Sequence, residues 1–307
     1  MQTGPTRTAS HAGSWYSADG DELAENLDSW LAAAAITSNN PRIRAVIAPH
    51  AGFAYSGSTA AHAYLGSVSV RTDTVVVLGP SHHTYLDGCA LSLCAEYATP
   101  LGPLKVDANV NAALNASGLF GQMDRATDED EHSIEMHLPF IKKLLSDVRP
   151  DGNYSIVPIL VGNLSPTKAT LYGGLLAPYL ATENILVVVS SDFCHWGKRF
   201  SYSPRVGYPE TPIYKYIESL DKQAMTLIEQ QNFTAFSFYL TQTKNTICGR
   251  NPILLLLHTI AAVNKSKGLE ETDSLFEITF TKYAQSSKVV DPRDSSVSYA
   301  SAICYLK

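Results

Sequence analysis

Thr74-Val75-Val76-Val77-Leu78-Gly79-Pro80-Ser81-His82-His83 is the stretch on which the fold turns. Residues 74–78 are a β-branched, aliphatic run of the kind that fills a strand buried on both faces. The run stops at Gly79-Pro80, a pair that punctuates strands, and two imidazoles follow at once. The same plan recurs on either side of it. Residues 43–48 read as a short buried strand ended by Pro49-His50-Ala51-Gly52, and residues 185–189 open into Ser190-Ser191-Asp192-Phe193-Cys194-His195-Trp196. Strands apolar along their whole length belong to a parallel or mixed sheet covered by helices on both faces. In such sheets ligands bind beyond the carboxyl ends of the strands. If the three strands are parallel, His50, His82, His83, Asp192 and His195 face one crevice, and Gly52 and Gly79-Pro80 supply the tight turns that let them converge.

Outward from these strands the pattern is α/β throughout. Leu23, Leu27, Trp30 and Leu31 recur at helical spacing over residues 21–35, and Asn39-Asn40-Pro41 breaks that helix. Residues 58–65 and 110–117 read as helices, and 91–97 with 104–106 as short strands or a hairpin. An acidic loop, 127–131, precedes a helix over 133–145 with Ser133 as its N-cap. Residues 154–161 form a further apolar strand, and 199–212, rich in Pro, Tyr and Ser, a long surface loop. Ile217, Leu220, Ala224, Leu227 and Ile228 mark an amphipathic helix over 214–230. Asn251 and Pro252 suit the N-cap and first residue of a helix running over 253–263. Residues 275–283 and 297–306 alternate as strands with one face buried. With no repeat or linker, residues 1–307 read as a single domain.

Composition removes several functions. The net charge is −6 and no Lys/Arg run forms a basic stripe, so nucleic acid is not an expected partner. The longest apolar run, 253–263, falls short of the ~20 residues of a membrane span. The polar first ten residues carry no secretory signal. Five cysteines, scattered and without a C-x-x-C pair, fit a reducing compartment, so the cytoplasm is expected, with the nucleus as a second location. The sequence leaves the oligomeric state open.

Imidazole and carboxylate together suit divalent first-row metals, and an added thiolate shifts preference toward copper, with zinc also accommodated. A lone His after a strand is more often a hydrogen-bonding residue than a ligand, but three clusters at equivalent strand ends argue for a site. Cys248 stands just before the 253–263 helix, where the helix dipole favours thiolate. A second polar concentration, Glu129-Asp130-Glu131-His132-Ser133-Ile134-Glu135-Met136-His137, is not H-E-x-x-H. His132 and Glu135, three apart on one helix face, take a supporting or substrate-contact role. Cys89 and Cys94 read as core or loop, and Cys304 as packing. Nucleophile-elbow, P-loop and dinucleotide fingerprints are absent from the sequence.

Six blocks carry a resemblance: Ser10-His11-Ala12-Gly13-Ser14-Trp15-Tyr16, Ala48-Pro49-His50-Ala51-Gly52, Leu78-Gly79-Pro80-Ser81-His82-His83, the 128–137 segment, Ser190-Ser191-Asp192-Phe193-Cys194-His195-Trp196 and Asn245-Thr246-Ile247-Cys248-Gly249-Arg250. They resemble the signature blocks of the Memo family, mediators of ErbB-driven cell motility, over nearly the whole chain and closest to its eukaryotic branch. The resemblance implies a central mixed, largely parallel sheet flanked by helices on both faces, similar to class III extradiol dioxygenases. It also implies a copper- or iron-binding pocket lined by His50, His82, Asp192, His195 and Cys248. Of these, His50, His82 and Cys248 are the expected primary ligands, and Asp192 and His195 complete the site and carry any catalysis. Signalling proteins or phosphopeptides are the implied partners, and production of reactive oxygen species the implied chemistry. Cys248 departs from the ligand set of Fe(II) ring cleavage.

Overall fold

The computed structural model describes residues 4–34, 42–204, 210–270 and 273–307. The helix break at Asn39-Asn40-Pro41, the last residue of the 21–35 helix and residues 205–209 of the expected loop lie outside the described residues. Six long strands are β1 (Ile43–Ala48), β2 (Thr74–Pro80), β3 (Ser155–Val161), β4 (Ile185–Ser190), β5 (Phe276–Gln285) and β6 (Ser296–Leu306). They stand in the order β3-β2-β4-β1-β6, with β5 on the far side of β6. The first four are mutually parallel. β6 runs antiparallel to β1 and β5 antiparallel to β6. Short strands extend the sheet beyond β3, among them Leu104–Val106, which pairs with Glu96–Tyr97 in the expected hairpin.

Two apolar layers hold the sheet. Successive side chains of a strand point to opposite faces. Val46, Val75, Val77, Ile156, Leu186 and Val188 therefore pack with helices Gly20–Ala33, Phe53–Tyr64 and Leu138–Val148. Ala45, Ile47, Val76, Leu78, Val157 and Val187 pack with Pro166–Ala181, Ile213–Glu229, Phe233–Thr243 and Arg250–Ser266. Every residue of β1, β2 and β4 is buried. Each such aliphatic side chain contributes roughly 1.5–3 kcal/mol relative to exposure. Among the described residues no helix is long and apolar enough to cross a membrane.

Several local expectations are corrected. Residues 127–131 are mostly helical, within Arg125–Asp130, because Asp124 caps that helix by accepting the Thr127 N–H. Ser133 is not an N-cap: its hydroxyl donates to Pro80 O, and the helix proper is Leu138–Val148, entered through a 3-10 turn at Glu135–His137. Gly249, not Asn251, precedes the first turn of Arg250–Ser266, and Asn251 instead donates its amide to Gly162 O. The helix expected over 58–65 begins at Phe53. β6 is buried on both faces over most of its length: the helix Phe53–Tyr64 covers one, where Ser301 donates to Thr59 O, and Ala300, Ala302 and Cys304 enter the apolar layer on the other. Helices Pro166–Ala181 and Phe233–Thr243 carry no clear apolar stripe in sequence, yet Ser165 caps the first by accepting the Lys168 N–H.

Candidate metal centre

The register of the parallel strands sets the site. Ala48 lies opposite Ser190, and Leu78 opposite Val189, so β1, β4 and β2 end level with one another. His50, Asp192 and His82 leave the same edge of the sheet within a few residues, as their shared pattern of strand followed by polar cluster implies.

The ring of His50 is buried, with Nδ1 2.6 Å from Ser190 Oγ. That hydroxyl donates its one proton to Ser133 O at 2.7 Å, so it accepts from His50 Nδ1–H, and Nε2 is left with its lone pair. Burial, followed by the nearby His82 and His132 rings, holds the His50 pKa well below the usual imidazole range. His82 is fixed by a carboxylate instead. Glu131 Oε1 accepts His82 Nδ1–H at 2.9 Å and the Ser133 N–H at 2.9 Å, while Oε2 accepts the His82 backbone N–H at 2.7 Å. Burial alone would raise the Glu131 carboxyl, but the His82 contacts and the Ser133 N–H outweigh it and bring it down to about 2.

His132 completes the group. Its ring stacks on His82 with centroids 4.5 Å apart and planes at 14°, and Trp15 covers it at 4.4 Å. Burial, then the neighbouring His82 ring, lowers its pKa to about 3, so it stays neutral at ordinary pH. His50, His82 and His132 each offer a nitrogen, and these atoms all lie within 4.8 Å of one another. Two nitrogens each ~2.1 Å from one ion stand at most about 4.2 Å apart, so small side-chain rotations bring the three onto a common ion.

The remaining expected residues surround this trio. Cys248 Sγ is 3.1 Å from His50 Nε2 and accepts the Asp192 N–H at 3.2 Å. A side chain at Gly249 would place its Cβ 2.3 Å from Ser190 O and from Ser191 Cβ, so only glycine lets the Cys248 turn approach β4 this closely. The expected thiolate is not favoured by the protein alone. Burial pushes the Cys248 thiol well above its ordinary value, and the Asp192 carboxylate adds to this, outweighing the helix terminus. Asp192 Oδ1 accepts the N–H groups of His50 (2.9 Å) and Ala51 (3.3 Å), and burial raises its pKa. His195 sits on a two-residue strand paired with Ser296 and Val297, its Nδ1 2.9 Å from Phe193 O and 3.2 Å from Thr246 O.

Two cavities meet here. The larger, about 620 Å³, is bordered by His50, His132, Asp192 and His195, with Trp15, Tyr55, Phe200 and Tyr299 as apolar walls. The smaller, about 350 Å³, reaches Cys248, Arg250 and Asn163. His82 and His83 line both.

Behind the trio lies a cluster that sequence reasoning did not find. The fully buried Arg7 guanidinium donates to Asp128 O and Oδ1, Glu135 Oε2, Glu131 O and Thr8 O. Glu135 also accepts from the Tyr16 hydroxyl and the His11 N–H, and shares no helix face with His132, which precedes the 3-10 turn. Glu135 is a strut of the scaffold, not a wall of the cavity. The sequence signals were faint: a lone Arg in a polar N-terminus, and Glu131 inside an acidic run that resembled ordinary helix capping.

An α/β sheet at whose edge three imidazoles gather within 4.8 Å of one another, beside a buried thiol, defines a class of protein with a donor group that could hold a metal ion. The chain belongs to the Memo family: the model of that family, described as Memo-like protein, matches residues 7–303. It is 47% identical to the protein memo-1 homolog of Caenorhabditis elegans over 98% of this chain and 83% of that one. It is 49% identical to Protein MEMO1 of Xenopus laevis and 47% to Protein MEMO1 of Homo sapiens, in each case over 96% of this chain and 95% of the relative. A crystal structure of an uncharacterized protein from Escherichia coli K12 aligns with a TM-score of 0.46 and 14% identity, over 83% of this chain and 98% of that one.

Proposed function

We propose that this chain is a metal-dependent redox protein that holds about one copper or iron ion, the stoichiometry following from one imidazole cluster. The observation that carries the reading is the preset state of the two central histidines. His50 and His82 each commit Nδ1 to a fixed acceptor, Ser190 and Glu131, which is how ligating imidazoles are oriented. Burial keeps His50 and His132 unprotonated, as ligation requires. His132 and Cys248 stand on either side as further donors, and the mixed nitrogen–sulfur set suits copper and iron.

A bound copper or iron ion supplies one-electron exchange with oxygen, the source of the reactive oxygen species expected of this family. The protein's own groups do the rest. Trp15 and Phe200 limit water on the larger-cavity side. His195, with Nδ1 directed at two carbonyls, presents Nε2 as a proton acceptor, and Asp192 fixes the His50 backbone and the Cys248 loop. The resemblance to mediators of cell motility supports a role for this chemistry in receptor signalling to the cytoskeleton and cell motility.

A second reading is a non-enzymatic adaptor that binds phosphopeptides in the larger cavity. It rests on the aromatic walls and on Arg199, a cation on the cavity lining beside Phe200. Ring cleavage ranks below both, because Cys248 adjoins His50.

Metal analysis of protein purified anaerobically without a metal-binding tag separates these readings. About one copper or iron per chain is expected, with loss in both His50→Ala and His82→Ala at unchanged circular dichroism. Metal content unaffected in both variants would leave the adaptor reading in its place.

A further inference from the structure

We infer that Glu131 is a positioning residue of the metal centre that biases it toward divalent over monovalent ions. The inference rests on the proposed metal binding and concerns a residue outside the expected ligand set.

Glu131 is 2% exposed, and among the described residues its carboxylate forms no ion pair with an arginine or lysine. Its partners belong instead to the imidazole group. One oxygen takes the Nδ1–H of His82 and the N–H of Ser133, and the other takes the backbone N–H of His82. Both ends of the His82 residue, ring and main chain, are thus tied to one carboxylate. The oxygen that binds His82 Nδ1 also lies 3.6 Å from His132 Nδ1. Two of the three imidazoles that can meet on an ion therefore share a single negative charge behind them, while the third, His50, is backed by a neutral hydroxyl. The position of Glu131 is itself fixed, since Arg7 Nη2 donates to its carbonyl oxygen at 2.8 Å.

The charge has an electrostatic consequence. An ion held by neutral imidazoles brings its full charge into a partly buried site, where a nearby carboxylate acts more strongly than in water. A divalent ion gains twice what a monovalent one gains from that carboxylate. A hydrogen-bonded carboxylate also makes its imidazole a better donor, and removing such a partner typically costs about 10–100-fold in metal affinity.

The test is Glu131→Gln, which keeps the size of the side chain and an acceptor oxygen for His82 Nδ1–H while removing the charge. Affinities for Zn(II) and, under anaerobic reducing conditions, Cu(I) are measured by competition with chelators in wild type, Glu131→Gln, Glu131→Asp and His50→Ala. The expected result is a loss of about 10–100-fold for Zn(II) in Glu131→Gln, a clearly smaller loss for Cu(I), and partial recovery of Zn(II) binding in Glu131→Asp. A purely structural role for Glu131 would weaken both ions by the same factor, and that outcome, or no change in either, overturns the inference. If Glu131→Gln does not fold, Zn(II) binding to Glu131→Asp decides: an affinity equal to wild type at a shortened carboxylate overturns the positioning role. His50→Ala reports separately on the metal site. Unchanged affinity there defeats the proposed function, whereas metal loss there with an unaltered Zn(II)-to-Cu(I) preference in Glu131→Gln defeats only the present inference.

Discussion

Cys248 shows how a single residue's surroundings decide its chemistry. Its sulfur lies 3.1 Å from a nitrogen that carries a lone pair, and Asp192 O at 3.6 Å is a second acceptor for the thiol proton. Burial and the Asp192 carboxylate both resist ionisation, and only an ion placed between sulfur and imidazole reverses that balance. Cys248→Ser keeps the volume nearly constant and removes the soft donor. Cu(I) affinity is expected to fall at least tenfold and metal-dependent superoxide formation to change, with the melting temperature of the metal-free protein shifting little. Equal Cu(I) affinity in the variant, measured against a chelator series, would return Cys248 to a packing role.

At the level of elements, the strands and the helices with a clear apolar stripe were legible, and the polar 127–137 segment was not. β1, β2 and β4 announce themselves because each is apolar end to end, and the polar clusters that follow them are local in sequence. The partners His132 and Glu131 come from a segment whose place depends on a contact with β2 that no spacing encodes. That contact is visible at Gly79. It lies within β2 and not in a turn, and a Cβ there would come within 2.6 Å of Ser133 Oγ and Ile134 Cγ1. Glycine was read as a device for turning the chain, but it serves here to let the 131–134 segment lie flat on the strand end. Gly79→Ala should therefore displace His132 and cost about 1–3 kcal/mol, the usual penalty for overpacking. Denaturant unfolding and metal affinity should both report it; a variant as stable as wild type with full metal affinity would mean that the segment is not held there. Helices Pro166–Ala181 and Phe233–Thr243 were illegible for a different reason, their apolar residues being spread around the helix and not along one side.

The whole molecule carries an acid-sensitive interior. His132 and His137 are both held neutral by burial, with pKa values lowered to about 3. The unfolded chain takes up their protons near pH 6.5, the folded chain only near 3, so the unfolded state binds more protons throughout that window and stability falls as pH falls. Each residue contributes a loss on the order of 2 kcal/mol by pH 5, all of it absent above pH 7. Glu131 and Glu135 add to the same trend lower down, since both are ionised in the folded state to about pH 2 and their stabilisation fades below the ordinary carboxylate range. Melting temperatures of metal-free protein should drop steeply between pH 6.5 and 4.5, and His137→Phe should flatten the upper part of that slope. A flat profile over the same range would show that these rings protonate in place.

Arg7 gives the two-residue strand Thr6–Arg7 an importance out of proportion to its length. Here its guanidinium is walled in by the 128–135 segment and bonds to the main chain beside Glu131. Loss of the Arg7 side chain would strand two acidic groups in the interior, Asp128 and Glu135, and loosen the support of His82, far away in sequence. Damage confined to this one side chain would thus leave the polypeptide at its full size while its centre lost its shape, and mass alone would not reveal it.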